Sequence, residues 1–177
     1  MPNAALPVAT FEEIDPAMAN ACLEAWGHKM GPLRRGKQRG LHHALMHGGR
    51  PVAVVCTSHL IHGWVGGGLS HMTRANTREL SRLCAERPGL CRMAIRLWRE
   101  FVFPDLGCDY AISYQDADMH TGNTYRFDGW KREAYSRGTP DLRSGRKGRN
   151  RWIWVWKRQQ PMPPNAALTG RWPEESK

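Results

Sequence analysis

The segment from residue 77 to residue 114 restricts the fold more than any other part of the sequence. TRELSRLCA alternates leucines with polar residues, which is the pattern of a β-strand, and a Pro-Gly turn follows it. LCRMAIRLWREFVF has helical periodicity from Leu90 to Phe103, and DYAISY is a short run typical of a strand. A strand, a long helix and a second strand in this order place the chain among α/β proteins.

The flanking segments add further predicted elements. Asp15-Pro16 is a plausible helix start, and GLHHALMH and RPVAVVCTS form a hairpin around Gly48-Gly49. HLIHGWVGGGLSHM is a glycine-rich loop, HTGNTYRFDGW a short helix, and WKREAYS and RNRWIWVWK are strands. The sequence predicts a mixed α/β (α+β) domain over 11–160, with a central sheet covered by helices on both faces. A loosely ordered tail is predicted over 161–177.

Composition narrows the class of protein. The 177 residues suffice for one domain with a real hydrophobic core. The sequence contains no run of 18 apolar residues, so no membrane span is predicted. The first residues lack the basic and apolar regions of a secretory signal. The five cysteines are scattered and include no CxxC pair, which favours reduced thiols over disulfides or a zinc ribbon. We therefore expect a cytoplasmic protein with no membrane partner.

The positive charge is concentrated near the end of the chain. The net charge is +10, and residues 131–160 hold ten Lys and Arg against Glu133 and Asp141. Such a patch suits a polyanion such as nucleic acid, and a solubilising surface loop is the alternative. The predicted phosphate contacts are Arg143, Arg146, Lys147, Arg149 and Arg151.

Three tryptophans interleave with this basic segment. Trp152, Trp154 and Trp156 share one face of a strand, and Ile153 and Val155 share the other. An indole on the first face could stack on a base, or the strand could have one core face and a half-covered indole stripe on the other.

The stretch SYQDADMHTGNTYRFDGW spaces Asp116, Asp118 and His120 two residues apart. That spacing is compatible with a metal site, and equally with the polar corner between a buried strand and a helix. The second interpretation is favoured, because Asp118 and Thr121 are candidate helix caps.

The element order and four motifs resemble a known family. Strand, turn, long helix, strand and short Tyr-containing helix are similar to the GNAT acyltransferase superfamily over residues 11–158. WGHKMGP, RELSRLC, AISYQD and HTGNTYRFDGW further resemble the phage Mom branch, which modifies adenine bases in DNA.

The resemblance implies acyl-CoA as the donor. Its pantetheine would pair with a strand edge between two splayed parallel strands, 78–84 and 109–115, and its pyrophosphate would lie on the amides that open the following helix. The implied cofactor residues are Leu83, Cys84, Arg87, Gly89 and Arg92. The local sequence AERPGLCRM lacks the Q/RxxGxG/A pattern of ordinary GNAT enzymes.

The resemblance also implies the reacting side chains. Tyr125 would protonate the departing thiolate, although it could instead pack its ring in the core. Asp116 would accept a proton, orient the amine or bind a metal, and Arg82 is its predicted ion-pair partner. His28 would assist catalysis and, with Asp116 or His120, form an N/O site suited to iron, or it could cap a helix C-terminus.

The leading functional hypothesis is a phage-encoded DNA-modifying transferase in the host cytoplasm. The resemblance implies transfer of an acyl-derived, carbamoylmethyl-type group to adenine N6, which would evade restriction. The alternatives are an ordinary acetyl-CoA-dependent N-acetyltransferase of a protein or small amine, and a non-catalytic module that only binds nucleic acid.

Overall fold

A computed structural model describes residues 9–34, 39–138 and 148–158. Within these residues, seven strands form one mixed sheet in the order β1-β2-β3-β4-β5-β7-β6. The strands are β1 (Ala9–Ile14), β2 (His42–His47), β3 (Arg50–Ser58), β4 (Thr77–Ala85), β5 (Tyr110–Asp116), β6 (Lys131–Ser136) and β7 (Arg151–Lys157). The α-helices are α1 (Pro16–Ala25), α2 (Leu90–Leu97) and α3 (Asn123–Phe127), and a π-helical turn (Trp98–Val102) and a 3-10 helix (Phe103–Leu106) follow α2. The predicted mixed sheet is confirmed.

The structure adds a strand at the start of the predicted domain and does not describe the tail after it. Strand β1 was not predicted, because its side chains are exposed or half-buried and give little alternation. It pairs antiparallel with β2 at the sheet edge. The tail predicted over 161–177 lies outside the described residues, so the predicted domain limits stay a prediction.

Helix α1 begins where the sequence predicts. Asp15 is the N-cap, and its carboxylate accepts a hydrogen bond from the Met18 amide at 2.7 Å. Its buried side chains are Ala19, Cys22 and Leu23.

The two faces of the sheet are covered by different elements. On β3, Val55 packs in the cluster with Ile95 and Trp98 of the α2 segment, while its neighbour Val54 packs in the cluster with Leu23 of α1. Because successive strand residues point to opposite faces, α1 and α2 cover opposite faces, as predicted. We call these the α2 face and the α1 face.

The glycine-rich loop covers the rest of the α1 face. Leu60, Val65, Leu69 and Met72 pack with Ile112 of β5, and with Ile153 and Val155 of β7. The α1 face is therefore covered in two patches, one over β2–β4 and one over β5 and β7.

The boundary between these patches is the place where β4 and β5 part. The two strands are parallel and pair only at their beginnings, Thr77 with Tyr110, Arg78 with Ala111 and Glu79 with Ile112. The register of β4 against β3 shifts between Leu80 and Arg82, which makes Ser81 a β-bulge. A bulge bends its strand, so the parting of the sheet has a local cause two residues beyond the last pair.

The tryptophan stripe of β7 differs from its prediction. Trp154 and Trp156 are buried in the core of the α2 face, and Ile153 and Val155 are buried on the other face. Trp152 is half-buried beneath Arg132 and Tyr135. The stripe is a core face, so stacking of these indoles on a base is not supported.

Two further features concern the chain as a whole. The described helices include none that is long and apolar enough to cross a membrane. All five cysteines are free, and four of them, Cys22, Cys56, Cys84 and Cys108, are buried.

Candidate active site

A cleft of about 2100 Å³ opens where β4 and β5 part. Its floor is formed by β4 from Glu79 onward and by β5 from Ser113 to Asp116. The walls are residues 26–30 after α1, residues 59–64 of the glycine-rich loop, residues 119–125 leading into α3, and the ends of β6 and β7. Crevices at the carboxyl ends of parallel strands are the usual ligand sites of α/β sheets.

Tyr125 reaches this cleft from α3. Its ring stacks on Trp154 at 5.6 Å between centroids and makes a T-shaped contact with Trp130 at 5.7 Å. Both tryptophans are buried, so the ring is held between two fixed indoles. Tyr125 thus has the packing role considered from the sequence and also lines the cleft.

The Tyr125 hydroxyl lies at the apex of the parting strands. Ser113 Oγ of β5 is 2.8 Å from it and donates to the Leu80 carbonyl of β4 at 3.1 Å. Since Ser113 has one hydroxyl proton and gives it to Leu80, Tyr125 is the donor in the first of these bonds. Burial raises the pKa of Tyr125 to about 12, so the phenol keeps its proton at neutral pH.

The start of α3 is fixed by a close approach of the backbone. Gln115 Oε1 accepts from Trp154 Nε1 at 2.6 Å, and Gln115 Nε2 donates to the His120 carbonyl. Gly122 has φ +77, and a Cβ there would lie 2.4 Å from the Trp154 ring and 2.6 Å from Gln115 Oε1. Only glycine fits this position, both conformationally and sterically. The glycine of the HTG motif is therefore explained by the packing that places Tyr125.

The α1 face of the cleft carries a second set of polar side chains. Arg82 pairs with Cys56 and Glu79 with Ser58 across the strands. Cys56 belongs to the α1 face, so Glu79 and Arg82 project there too. Burial raises the pKa of the Tyr114 hydroxyl, with a smaller contribution from Glu79, which places these two side chains near each other.

Asp116 lies on this face and not on that of Tyr125. Ser113 and Gln115 of β5 contact Tyr125 and Trp154, so Tyr114 and Asp116 point to the opposite side. Asp116 Oδ1 accepts from the Asp118 amide at 3.1 Å and closes the turn after the strand. The structure brings Asp116 and Tyr125 to one cleft but to its two different sides.

The ion pair predicted between Arg82 and Asp116 is not formed. Arg82 Nη1 donates to the Ser81 carbonyl at 2.7 Å, and its Nε donates to the Gly31 carbonyl at 3.3 Å. The guanidinium is buried, which lowers its pKa from the ordinary range. Arg82 therefore ties Gly31, which directly follows the wall residues 26–30, to the bulged strand.

His28 lies in that wall as a neutral side chain. Burial, with the nearby charges of Arg82 and His120, lowers the pKa of His28 to about 4. Its Nδ1 accepts from the Met30 amide at 3.2 Å, which assigns the proton to Nε2. In this tautomer His28 offers a hydrogen-bond donor to the cleft rather than a base.

The predicted iron site of His28, Asp116 and His120 does not fit the geometry. Within the described ranges, no three His, Cys, Asp or Glu side chains come together as ligands for one metal ion. Asp116 Oδ1 accepts from the Asp118 amide, and His28 Nδ1 accepts from the Met30 amide. The arrangement of these residues therefore does not support a catalytic step through iron.

The predicted cofactor residues are divided. Leu83, Cys84 and Arg87 line the cleft, Leu83 on the α2 face and Cys84 on the α1 face. Gly89 precedes α2 with φ +91 and has no side chain to obstruct the amides of the first turn. Arg92 does not line the cleft, since its guanidinium lies over the Phe127 ring at 5.3 Å.

The predicted nucleic-acid contacts are divided as well. Arg149 and Arg151 line the cleft, and Arg149 Nη1 donates to the Met30 sulfur at 3.1 Å. Arg143, Arg146 and Lys147 lie outside the described residues. Of the described residues that line the cleft, eight are Lys or Arg and three are Asp or Glu.

Sequence reasoning missed two residues of the site. Glu79 is 8% exposed in β4 beside the last strand pair, and Ser113 is 2% exposed opposite Leu80. The signal for Glu79 was weak, because a carboxylate in a strand is most often exposed to solvent. Ser113 gave no signal, since a small hydroxyl residue is common in strands.

Solved structures of other proteins share this fold, although no sequence match was found. No family model matches the chain, and no curated protein sequence matches it. The fold is similar to a probable acetyltransferase from Staphylococcus epidermidis (TM-score 0.62, 7% identity, 86% of this chain and 100% of that chain).

It is also similar to the ribosomal-protein-S18-alanine N-acetyltransferase from Escherichia coli (TM-score 0.58, 14% identity, 85% of this chain and 94% of that chain). A third similar structure is the aminoglycoside acetyltransferase AAC(6')-Ib in complex with coenzyme A (TM-score 0.58, 16% identity, 85% and 95%). At these identities the likeness shows the fold alone, and the protein has the GNAT acyltransferase fold.

Proposed function

We propose that the protein is an acyl-CoA-dependent N-acyltransferase whose reaction takes place where β4 and β5 part. The observation that carries this proposal is the sheet opening after three strand pairs, with the Tyr125 hydroxyl at its apex. Beyond Glu79, the edge of β4 that faces β5 is no longer paired with it, so it can accept an added strand-like ligand. The coenzyme-A complex among the similar structures supports the same choice of donor.

The donor brings the thioester when it is bound. Leu83 projects into the α2 side of the cleft. The first amides of α2 point toward the end of the cleft near Gly89, where they favour an anionic group. These features fit an extended chain along β4 that ends in a pyrophosphate at Gly89.

Tyr125 and Glu79 divide the proton transfers. The acceptor nitrogen forms a bond to the acyl carbon, and Glu79 takes the proton that this nitrogen loses. The carbon–sulfur bond breaks, and Tyr125 gives its proton to the sulfur. Tyr125 can release its bond to Ser113 at that moment, because Ser113 keeps its own donation to Leu80. The products are an amide and a free thiol, and solvent restores the phenol.

The experiment compares the wild-type protein with Tyr125→Phe. Acetyl-CoA binding is measured by calorimetry, and acetyl transfer to a panel of amines is measured by mass spectrometry. The panel contains a polyamine, an aminoglycoside, peptide N-termini and oligonucleotides. We expect the substitution to lower kcat by about 100-fold, the scale of a lost general acid, with binding within about threefold.

Tyr135→Phe is the matched control. Tyr135 is 41% exposed on β6 and does not line the cleft, so its loss leaves both measurements unchanged. A folded protein that does not bind acetyl-CoA contradicts the proposal, and a Tyr125→Phe variant with full kcat removes Tyr125 from the reaction.

A second candidate narrows the acceptor to an amine of nucleic acid. Its support is the excess of cationic side chains along the cleft, together with Trp64, whose indole is 63% exposed in the cleft wall. An exposed indole among arginines suits a base on a phosphate backbone. The narrower prediction, from the Mom-like motifs, is an acyl-derived group on adenine N6 of DNA, with the base flipped or single-stranded.

Mass spectrometry of nucleosides separates the two candidates. DNA is taken from cells that express the wild-type protein or Tyr125→Phe. A new adenine adduct with the wild-type protein alone supports the narrower prediction. Unmodified DNA combined with acetylation of another amine supports the N-acyltransferase and contradicts DNA modification.

A further inference from the structure

Asp128 is a buried carboxylate that lies three residues after Tyr125 and does not line the cleft. Its side chain is 2% exposed. It accepts three hydrogen bonds, from Arg99 Nε at 3.0 Å, from Arg99 Nη2 at 3.2 Å and from Trp130 Nε1 at 3.0 Å. A buried carboxylate with a bidentate arginine and a third donor is fully satisfied and has a fixed orientation.

Arg99 belongs to the helix that leads away from the cleft. It lies in the π-helical turn Trp98–Val102, which directly continues α2. Its guanidinium also lies over the Trp156 ring at 4.4 Å. The bond between Arg99 and Asp128 therefore joins the α2 segment to the corner between α3 and β6.

Asp128 acts on Tyr125 through two routes. The amides of Asp128 and Trp130 both donate to the Tyr125 carbonyl, at 3.1 and 3.0 Å. The Trp130 indole, whose orientation is fixed by its N–H bond to Asp128, makes a T-shaped contact with the Tyr125 ring. The backbone and the ring of Tyr125 are thus both positioned by residues that Asp128 holds.

We infer that Asp128, held by Arg99, is a positioning residue for the Tyr125 hydroxyl. It holds the Tyr125 hydroxyl, the proposed proton donor, at the apex of the cleft and in a fixed position relative to α2. The first amides of α2 face the proposed site of the acyl-CoA pyrophosphate. This inference rests on the proposed function for its kinetic consequences. Its structural part, the placement of the Tyr125 ring, stands on the contacts alone.

Asp128→Asn is the informative substitution because it conserves size. Asp128 Oδ2 accepts from Arg99 Nε and Trp130 Nε1, and Oδ1 accepts from Arg99 Nη2, so in either orientation of the amide its NH₂ group faces an N–H of Arg99. The two-bond pair that fixes the side chain is then lost, and the acceptor of the Trp130 indole is no longer held in place. We expect the Trp130 indole to turn and the Tyr125 ring to move with it. Glu100→Gln is the matched control, because Glu100 also binds Arg99, at 2.6 Å, but is half-exposed and does not touch Trp130.

The kinetic experiment is a double-mutant cycle of Asp128→Asn and Tyr125→Phe with acetyl-CoA and the best amine of the panel. A group that acts only through Tyr125 loses its effect when the phenol is absent. We expect Asp128→Asn to lower kcat about tenfold in the wild-type background, with KM for acetyl-CoA within about twofold. In the Tyr125→Phe background we expect less than about twofold further loss. Equal losses in both backgrounds would show a structural role alone and overturn the inference.

A spectroscopic experiment decides the inference even if no amine is acetylated. The chain has four tyrosines, so 3-fluorotyrosine labelling gives four ¹⁹F signals, and Tyr125→Phe identifies the one from Tyr125. We expect Asp128→Asn to shift that signal and leave the other three in place. An unchanged Tyr125 signal overturns the inference.

If Asp128→Asn fails to fold, Trp130→Phe replaces it. That variant keeps the bond between Arg99 and Asp128 and removes the indole that links Asp128 to the Tyr125 ring. The same selective shift of the Tyr125 signal is expected, and its absence contradicts the inference.

Discussion

Replacing Gly122 by alanine tests the packing on which the candidate site rests. The backbone at this position has φ +77, and the added Cβ would lie 2.4 Å from the Trp154 ring and 2.6 Å from Gln115 Oε1. The left-handed conformation costs an alanine about 1–2 kcal/mol. Forcing extra atoms into a filled core costs about 1–3 kcal/mol, and disturbing the 2.6 Å bond from Trp154 to Gln115 costs about 1 kcal/mol. The expected loss is about 4 kcal/mol.

Gly49→Ala separates the two causes. Gly49 has φ +78, almost the same conformation, and a Cβ there meets nothing within 4 Å. Its substitution therefore costs only the conformational part, about 1–2 kcal/mol. Any gain from a stiffer unfolded chain is shared by both variants and cancels in the comparison.

Urea denaturation and calorimetry measure both variants. For a chain of this size about 1 kcal/mol corresponds to about 2–4 °C in Tm, so Gly122→Ala is expected about 5–10 °C below Gly49→Ala. Equal losses in the two variants would refute the close approach of Gly122 to Trp154 and Gln115. The placement of Tyr125 derived from that approach would fall with it.

Two other substitutions test the electrostatics and the hydrogen bonding of the cleft. His28 has a pKa of about 4 in the folded protein against an ordinary 6.5, so the unfolded state takes up the proton first and stability falls between pH 6.5 and pH 4. Relative to His28→Asn, the wild-type protein is expected to lose about 2 kcal/mol between pH 7 and pH 4.5 in urea titrations, and parallel curves would contradict the half-buried neutral imidazole. Trp154→Phe leaves Gln115 Oε1 without its donor and is expected to cost about 2 kcal/mol more than Trp152→Phe in the same assay; equal costs would contradict this.

The regular part of the fold could be predicted because its signals are local. The alternation in TRELSRLCA and the periodicity from Leu90 onward were enough to place β4 and α2. Strand β1 could not be predicted, because an edge strand with mostly exposed side chains needs no apolar alternation. The sequence also does not show whether Trp154 lies in the core, because a strand that is covered on both faces has apolar residues on both of them.

The faces of the site could not be read from sequence spacing. Strict alternation puts Glu79 and Arg82, three residues apart, on opposite faces of β4. The bulge at Ser81 shifts the parity and brings both to the α1 face, where the sequence had paired Arg82 with Asp116. A bulge depends on the partner strand, so nothing within RELSRLC announces it.

The opening of the sheet makes polar groups on its two faces accessible from the same cleft. Tyr125 and Ser113 lie on the α2 face, while Glu79 and Asp116 lie on the α1 face. Groups on opposite faces of a paired sheet are separated by the sheet itself and cannot act on the same atom. In the proposed reaction, the acyl carbon lies between the strands where β4 and β5 part and is reachable from both sides, with the proposed acid Tyr125 on one side and the proposed base Glu79 on the other. The bulge at Ser81 lies beside this opening and turns Arg82 onto the same face as Glu79, so it would shape the place where the proposed donor and acceptor meet.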